Sequence, residues 1–316
     1  MVFGAASSTR PSGLNFDPTT TLPWAVPFLL LTPFITFLLA VSSIRTRRSA
    51  AAMAMFGTFV MLVLTLLVTW GLIKRGSAFQ ANYQYFNLPV AFSGPTNFQS
   101  FTIELSMRAD HLTVAAIAVI AFAVLCVLGW HRVMGRSEPG PARFYAEVTA
   151  LLFAFAGVLL TVDLAAMFAF WAIAGAITFL LLAHRWGMDE PAHRSRVALA
   201  LPFITDLSLL CGIAWLYARY GVQSLSALIP ILHTNPGWTV RSLVVGAVLL
   251  FIGIAGRLVL WPLTSWITQT AVTAPPAALA IAQSAWSVVA ITVLYRVGPI
   301  IGASNQPAMQ ALIAVC

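Results

Sequence analysis

Apolar runs close to 20 residues long recur along this chain, and no other feature restricts its possible folds as strongly. A helix needs about 20 apolar residues to cross the roughly 30 Å hydrocarbon core of a bilayer. Of the 316 residues, 60% are hydrophobic and only 8% are charged, far from the roughly 25% charged content of soluble domains. The sequence therefore predicts an all-α, polytopic transmembrane helix bundle. About eight complete spans are predicted, at 24–42, 50–73, 111–130, 145–160, 162–183, 197–217, 243–268 and 276–296.

The two ends of the chain differ from the predicted spans in composition or in length. Residues 1–23 are rich in Ser, Thr, Pro and Gly, and we expect them to form a tail outside the cytoplasm. The last apolar run, from Pro307 to Cys316, is too short to cross a bilayer. We therefore expect residues 24–316 to be the first part of a longer transmembrane domain, with this run as the start of a ninth span.

Arginine clusters beside the predicted spans indicate an orientation. If the spans alternate in direction, the clusters after spans one, three and five all lie on one side of the membrane, and the positive-inside rule makes that side the cytoplasm. This predicts a multi-pass protein of the bacterial inner membrane with its N-terminus outside. The formal charge of +8 is then a topology signal, and no nucleic-acid partner is expected. The clusters are Arg45, Arg47 and Arg48; Arg132, Arg136 and Arg143; and Arg185, Arg194 and Arg196.

The connections between spans are mostly short. The long polar connection at 74–109 alternates in places as a β-hairpin does. Spans four and five are separated by almost nothing, which predicts an antiparallel helical hairpin. A short lateral helix is predicted at 224–232.

Soluble-enzyme chemistry has no recognisable motif in this sequence. It contains no nucleotide-binding glycine pattern, no metal-type cluster and no nucleophile elbow. We expect no catalytic site, cofactor or metal of its own. The cysteines lie within apolar runs without metal spacing, and we expect them to be buried as small hydrophobic residues.

Arg257 is the most unusual residue in the predicted spans, because an ionisable group inside a bilayer is costly unless it is paired or hydrated. It lies in GIAGRLVLWPLTSW, five residues before Pro262. A proline there breaks the helix and frees carbonyls, as in transporter ion sites. Arg257 is therefore a candidate for an ion pathway, or else a structural arginine that pairs with a carboxylate or with freed carbonyls. Because arginine stays protonated, we expect a fixed charge rather than a relay.

Four other polar residues are candidates for the same pathway, each with a simpler alternative. Asp206, one third into span six, is the natural partner of Arg257 or of a cytoplasmic Arg, or else a helix-end carboxylate that reaches water. Asp163, between spans four and five, is also explained as a helix cap, and Glu147 as a carboxylate suited to a helix dipole. Gln283 belongs to a Gln and Thr cluster around spans seven and eight that either hydrates a channel or holds helices together.

The order of these features resembles the antiporter-like subunits of the NuoL type. This superfamily includes the proton-pumping subunits of respiratory complex I, the Mrp antiporter subunits and DabB of inorganic-carbon uptake. The resemblance covers roughly residues 105–300. It rests on LSMRADHLTV, PGPARFYAEVTALLF, the tryptophan of FWAIAG at Trp171, ITDLSLLCGIAWLYARYG, and GRLVLWPLTSWITQTAVTAPPAALAIAQSA.

The sequence departs from that family at three positions of its proton-handling chain. The glutamate expected after the span-five tryptophan is Ala172, the span-seven lysine is Arg257, and the span-eight histidine falls on Ala282 or Gln283. The resemblance implies an ion-coupling subunit that energises a partner in a hetero-oligomeric membrane complex. GMDEP, WITQ and RVGPI favour the DabB branch and carbon dioxide or bicarbonate uptake. The alternatives are a proton-translocating complex I subunit and a scaffold that has lost pumping.

Overall fold

The structure is a computed structural model, and it describes residues 25–43, 47–76, 78–88, 101–135, 140–185, 187, 189–221, 228, 240–260 and 263–303. Over this part of the chain it consists of helices and one two-stranded sheet. The elements are α1 (Ala25–Ser42), α2 (Arg47–Arg75), β1 (Phe79–Leu88), β2 (Phe101–Ala109), α3 (His111–Met134), α4 (Pro141–Leu160), α5 (Leu164–Leu182), α6 (Asp189–Tyr220), α7 (Val240–Arg257), α8 (Ser265–Thr270) and α9 (Pro276–Ala303).

The predicted membrane bundle is confirmed. Six of the described helices are long and apolar enough to cross a membrane, and the apolar segments of α1 and α7 are shorter. The helices coincide with the predicted spans, except at span seven. There the expected run 243–268 is divided into α7 and the short α8, so the predicted interruption of this span is confirmed. Pro262, predicted as its cause, and the lateral helix predicted at 224–232, apart from Leu228, lie outside the described residues.

Helix α4 forms the centre of the bundle. Its span is 89% buried inside the protein, against 39% for the span of α5. Helices α1, α2 and α5 pack around it, and α9 packs against both α3 and α7. Since a helix in a bilayer buries only the face that touches other helices, the outer faces of the other helices stay apolar and exposed.

The expected hairpin between α2 and α3 is also confirmed. Strands β1 and β2 pair antiparallel, with Phe79 opposite Ala109 and Leu88 opposite Phe101. The amide of Val162, in the α4–α5 turn, donates to the carbonyl of Ser106 at 2.9 Å. The sheet and this turn therefore lie together at one end of the bundle, called here the hairpin end. The opposite end, where α3 and α5 finish, is called the Arg-rich end.

Helices α6 and α7 approach closely because glycines lie between them. A Cβ at Gly253 would overlap Leu209, and one at Gly256 would overlap the side chain of Thr205. Small residues at helix contacts let backbones approach within a membrane. This approach matters for the site, because Thr205 precedes Asp206 and Gly256 precedes Arg257.

The expectation that the cysteines are buried was wrong for the two that are described. Cys126 and Cys211 are exposed on their helices. An apolar run predicts exclusion from water, and in a membrane bundle that condition is met on the outer face of a helix as well as in its core.

Candidate functional site

Arg257 and Asp206 form an ion pair in the interior of the bundle. Arg257 ends α7 and is 3% exposed, whereas Asp206 lies in the middle of α6 with 14% of its side chain exposed. Nη2 of Arg257 donates to Oδ2 of Asp206, and Nε donates to Oδ1 at 3.2 Å. The pair is thus bidentate, the geometry in which a guanidinium and a carboxylate fit best. The sequence prediction that Arg257 faces the interior within reach of a carboxylate is confirmed.

Two tryptophans hold this pair. The indole N–H of Trp171 donates to Oδ1 of Asp206 at 2.7 Å. The guanidinium carbon of Arg257 lies 4.3 Å from the ring centroid of Trp286, a cation–π contact. The indole N–H of Trp286 donates to Oγ1 of Thr178 at 2.8 Å, which fixes the ring. Each charge therefore has a fixed polar or aromatic neighbour in addition to its partner.

Gly175 supplies the space for the guanidinium. A Cβ at this position would overlap Nη2 of Arg257 and would lie 3.4 Å from Oδ2 of Asp206. Gly175 lies one turn beyond Trp171 on α5. One helix face thus presents a hydrogen-bond donor to the carboxylate and an open position to the arginine.

Helix α7 ends at the site itself. Val259, two residues beyond its end, has φ of 58°, a conformation that is costly for a β-branched residue. The carbonyl of Gly256 accepts a hydrogen bond from the indole N–H of Trp266 at 3.1 Å. A carbonyl freed by the helix end is thereby satisfied from α8, as irregular backbone at membrane depth requires.

A cavity of about 20 Å³ lies against Arg257. A water molecule needs roughly 10–15 Å³ of such space, so the cavity has room for one. Several of the residues that surround it carry hydroxyl groups. The residues with a guanidinium or hydroxyl are Arg257, Thr178, Ser195 and Thr270, and α5 also contributes Gly175, Phe179 and Leu182.

Glu147 lies in a second buried ion cluster, near the Arg-rich end. Nε of Arg143 donates to its Oε1 at 2.5 Å, and Nδ1 of His184 lies 3.2 Å from its Oε2. The side chain of His184 is 2% exposed, that of Glu147 10% and that of Arg143 34%. The next residue, Arg185, donates to the carbonyl of Thr273 between α8 and α9 at 3.4 Å. The cluster therefore joins α4 to the end of α5.

At the hairpin end Asp110 caps α3. Its Oδ1 accepts from the amide and hydroxyl of Thr113 at 2.8 and 2.5 Å. Burial raises the pKa of Asp110, but the hydrogen bonds of Thr113 and the charges of Arg296 and Arg108 outweigh it, so the pKa lies below its usual value. Arg296 donates to the hydroxyl of Thr113 and to the carbonyl of Thr161. These contacts connect α9 to the start of α3 and to the α4–α5 turn.

The structure brings together only part of the predicted set. Arg257 and Asp206 form one site, whereas Glu147 lies near the Arg-rich end. Asp163 lies near the hairpin end, where its Oδ2 accepts from the amide of Ala166 at 3.0 Å and caps α5. Gln283 is exposed on α9, while its neighbour Ala282 is buried. A role in an ion pathway stays a prediction for all five.

Sequence reasoning missed three residues that shape these clusters. Trp286 and Gly175 lie in apolar runs, and neither carries a charge that marks it as functional. His184 lies just beyond the predicted span 162–183, and the structure buries it against Glu147. The tight α4–α5 connection was the available signal, since an antiparallel hairpin brings the start of α4 near the end of α5. In the described part of the chain, no three His, Cys, Asp or Glu side chains are placed to hold a metal ion.

Comparison with known proteins finds similarity to antiporter-like membrane subunits. Residues 161–316 match the family described as NADH:quinone oxidoreductase/Mrp antiporter, TM. The chain is 23% identical, over 92% of its length, to the chloroplastic NAD(P)H-quinone oxidoreductase subunit 5 of Mesostigma viride. It is 23% identical over 76% of its length to NADH-quinone oxidoreductase subunit L of Campylobacter jejuni. It is 22% identical over 86% to a putative antiporter subunit, mnhA2, of Staphylococcus aureus.

These relatives are longer than this chain. The matches cover 43%, 37% and 33% of the three proteins, respectively. In structure, the chain is similar to a chain of the membrane-bound sulfane sulfur reductase, an archaeal respiratory membrane complex. The TM-score is 0.67 at 17% identity, over 92% of this chain and 56% of that one. The last comparison shows a shared fold.

Proposed function

We propose that the chain is an ion-coupling subunit of a hetero-oligomeric membrane complex. The proposal starts from its membership of the superfamily of antiporter-like membrane subunits, which includes the complex I and Mrp proteins. In this proposal protons or another cation move along a polar path beside Arg257 and Asp206, and the movement energises a partner subunit. The observation that carries the proposal is the buried bidentate pair at the point where α7 ends, beside a cavity lined by hydroxyl groups.

The chemistry of the pair assigns its two members different roles. Arg257 keeps its charge throughout, so it sets the electrostatic potential that an approaching cation meets. Asp206 is the member whose charge changes when it takes up a proton, and neutralising it removes the partner of a buried cation. Such a change is costly in a low-dielectric interior. Because α7 ends at Arg257, a shift of α7 or α8 is a means of transmitting force to a neighbour.

For the larger complex, we propose inorganic-carbon uptake, with carbon dioxide or bicarbonate as substrate of a DabB-type system. The support comes from three short sequence segments, GMDEP, WITQ and RVGPI. A proton-translocating subunit of a respiratory complex I type is the alternative, and the names of several relatives favour it. Purifying the tagged chain from its host and identifying the attached subunits distinguishes the two. A large zinc-site partner supports carbon uptake, and quinone-oxidoreductase subunits contradict it.

A non-pumping scaffold is the second candidate function, and one observation favours it. Both oxygens of Asp206 are bonded to fixed donors, Arg257 and Trp171. Such bonds stabilise the carboxylate and oppose proton exchange. In a scaffold the pair would only hold α6 to α7.

Replacing Arg257 separates the two candidates. We expect Arg257→Ala to reduce ion-driven activity at least about tenfold per assembled complex, since the fixed charge beside the path is lost. Activity is measured in membrane vesicles by a pH-sensitive dye, and assembly by the amount of partner that co-purifies. Arg219→Ala, which removes an exposed guanidinium from α6, is the matched control and should leave both unchanged. A lower yield of complex with normal activity per complex would overturn the pathway and support the scaffold.

A further inference from the structure

The pair of Glu147 and His184 has a capacity that the Arg257–Asp206 pair lacks. We propose that these two side chains form a proton-binding site near the Arg-rich end, which takes up and releases one proton. Proton binding here stands on the geometry alone, whereas its use in ion transport rests on the proposed function. The observation that carries it is a carboxylate and an imidazole buried together, with their Oε2 and Nδ1 atoms 3.2 Å apart.

The hydrogen bonds of this pair persist in both protonation states. When His184 is charged, its Nδ1–H donates to the carboxylate of Glu147. When it is neutral, the tautomer with hydrogen on Nδ1 donates in the same way. Arg143, which cannot release its proton, holds the other carboxylate oxygen at 2.5 Å. The cluster therefore changes between a net charge of zero and +1 while the bond between Nδ1 of His184 and Glu147 is kept, which lowers the cost of proton exchange.

Few other charged groups face the pair in the described part of the chain. From α3, His131 lies against Phe144, the ring that also contacts His184. From beyond α5, Arg185 follows His184 directly, and the described residues of α1 carry no ionisable side chain. The other charged or histidine side chains described at this end are Arg132 near the end of α3, Arg48 on α2, and Asp189, His193, Arg194 and Arg196 on α6. Glu147 is thus a carboxylate in direct contact with His184.

The proton site and the cavity beside Arg257 are close along the chain. Gly175, Thr178 and Leu182 of α5 line the cavity at helical spacing. His184 lies two residues beyond Leu182, just after the end of α5. Both therefore depend on the same end of α5, although His184 is not among the residues that line the cavity.

Solid-state NMR of the complete chain in its complex, labelled with ¹⁵N-histidine and held in lipid, tests the proposal. The chain has five histidines, so the signal of His184 is assignable from its loss in His184→Gln. If that variant does not fold, replacing the other four histidines one at a time gives the same assignment. We expect the Nδ1 signal to change between its neutral and charged positions when the pH of the sample is varied.

Glu147→Gln is the decisive variant, and Asp189→Asn, an exposed carboxylate near the same end, is its control. We expect the pH response of the His184 signal to change in Glu147→Gln and to stay as in the wild type in Asp189→Asn. A signal that stays constant with pH, or that responds identically in Glu147→Gln, would overturn the proton site.

Transport measured on the same samples keeps the two proposals apart. A constant His184 signal, with transport lost in Arg257→Ala, overturns the proton site and leaves the proposed function standing. A pH-dependent signal that requires Glu147, together with a normal Arg257→Ala complex, supports the proton site and contradicts the proposed ion path.

Discussion

The Arg257–Asp206 and Glu147–His184 pairs are two buried pairs of an acidic and a basic side chain, each between neighbouring helices of one bundle. They differ in whether the basic side chain can release its proton. Arg257 is fixed by two bonds to Asp206 and by the ring of Trp286. His184 carries an imidazole, a side chain that can bind and release a proton, and its carboxylate partner is already held by Arg143. The first pair is thus arranged to keep its charges, and the second to vary them.

This difference separates two requirements of ion coupling that a single lysine combines. A buried lysine both carries a charge and releases it, whereas arginine carries the charge only. In this chain the fixed charge lies in the centre of the bundle, and the exchangeable group lies near the Arg-rich end. If the chain couples ions, proton exchange and electrostatic response should be separable by mutation.

The largest expected effect comes from breaking the central pair. Arg257→Met leaves the carboxylate of Asp206 buried without its cation, and breaking a buried ion pair costs about 3–5 kcal/mol of unfolding free energy. The double variant Arg257→Met/Asp206→Asn should recover most of this loss, because the amide oxygen still accepts from Trp171. Equilibrium unfolding in mixed micelles, followed by tryptophan fluorescence, measures both.

His184→Gln is the comparison for that experiment. Glu147 retains its ion pair with Arg143 in this variant, so we expect a smaller loss than for Arg257→Met. In the Arg257–Asp206 pair the carboxylate depends on one cation, whereas Glu147 has both Arg143 and His184. Equal losses of unfolding free energy in the two variants would contradict this distinction.

How many residues of these two sites could be identified from the sequence alone depends on the kind of residue. Apolar runs identified the spans, and a charged residue in such a run identified Arg257 and its partner Asp206, because charge inside a bilayer is rare and must be paired. Nothing local marked Trp286, which lies 29 positions from Arg257 in the chain. Its role depends on the packing of α9 against α7, which periodicity does not specify. His184 lies just beyond the predicted span 162–183, and its burial depends on the packing of α4 against α5, which periodicity also does not specify.

The next largest effect tests how tightly the central pair is packed. Gly175→Ala places a methyl group where Nη2 of Arg257 lies, and overpacking of this kind costs about 1–3 kcal/mol. Gly129→Ala on α3 is the matched control, since its Cβ meets no atom within 4 Å. Alanine has the higher helix propensity, so the control should be neutral or slightly stabilising. The same unfolding assay applies, and equal behaviour of the two variants would mean that Arg257 moves aside freely.

The smallest effect concerns Asp110, a carboxylate at the hairpin end whose partners are Thr113 and Arg108 rather than an imidazole. Because its pKa is lowered on folding, its contribution is fully present above its unfolded pKa of about 3.9 and is lost as pH falls through the folded value. Asp110→Ala should cost about 1 kcal/mol as a lost helix cap, and Asp110→Asn, which still caps, should cost less. Between pH 5 and 8 the unfolding free energy of both variants relative to wild type should stay constant. We expect a pH response in that range only from clusters with a histidine. If the unfolding free energy of Asp110→Ala relative to wild type varied between pH 5 and 8, the sites that keep their charge and the site that exchanges a proton would not be separate in this bundle.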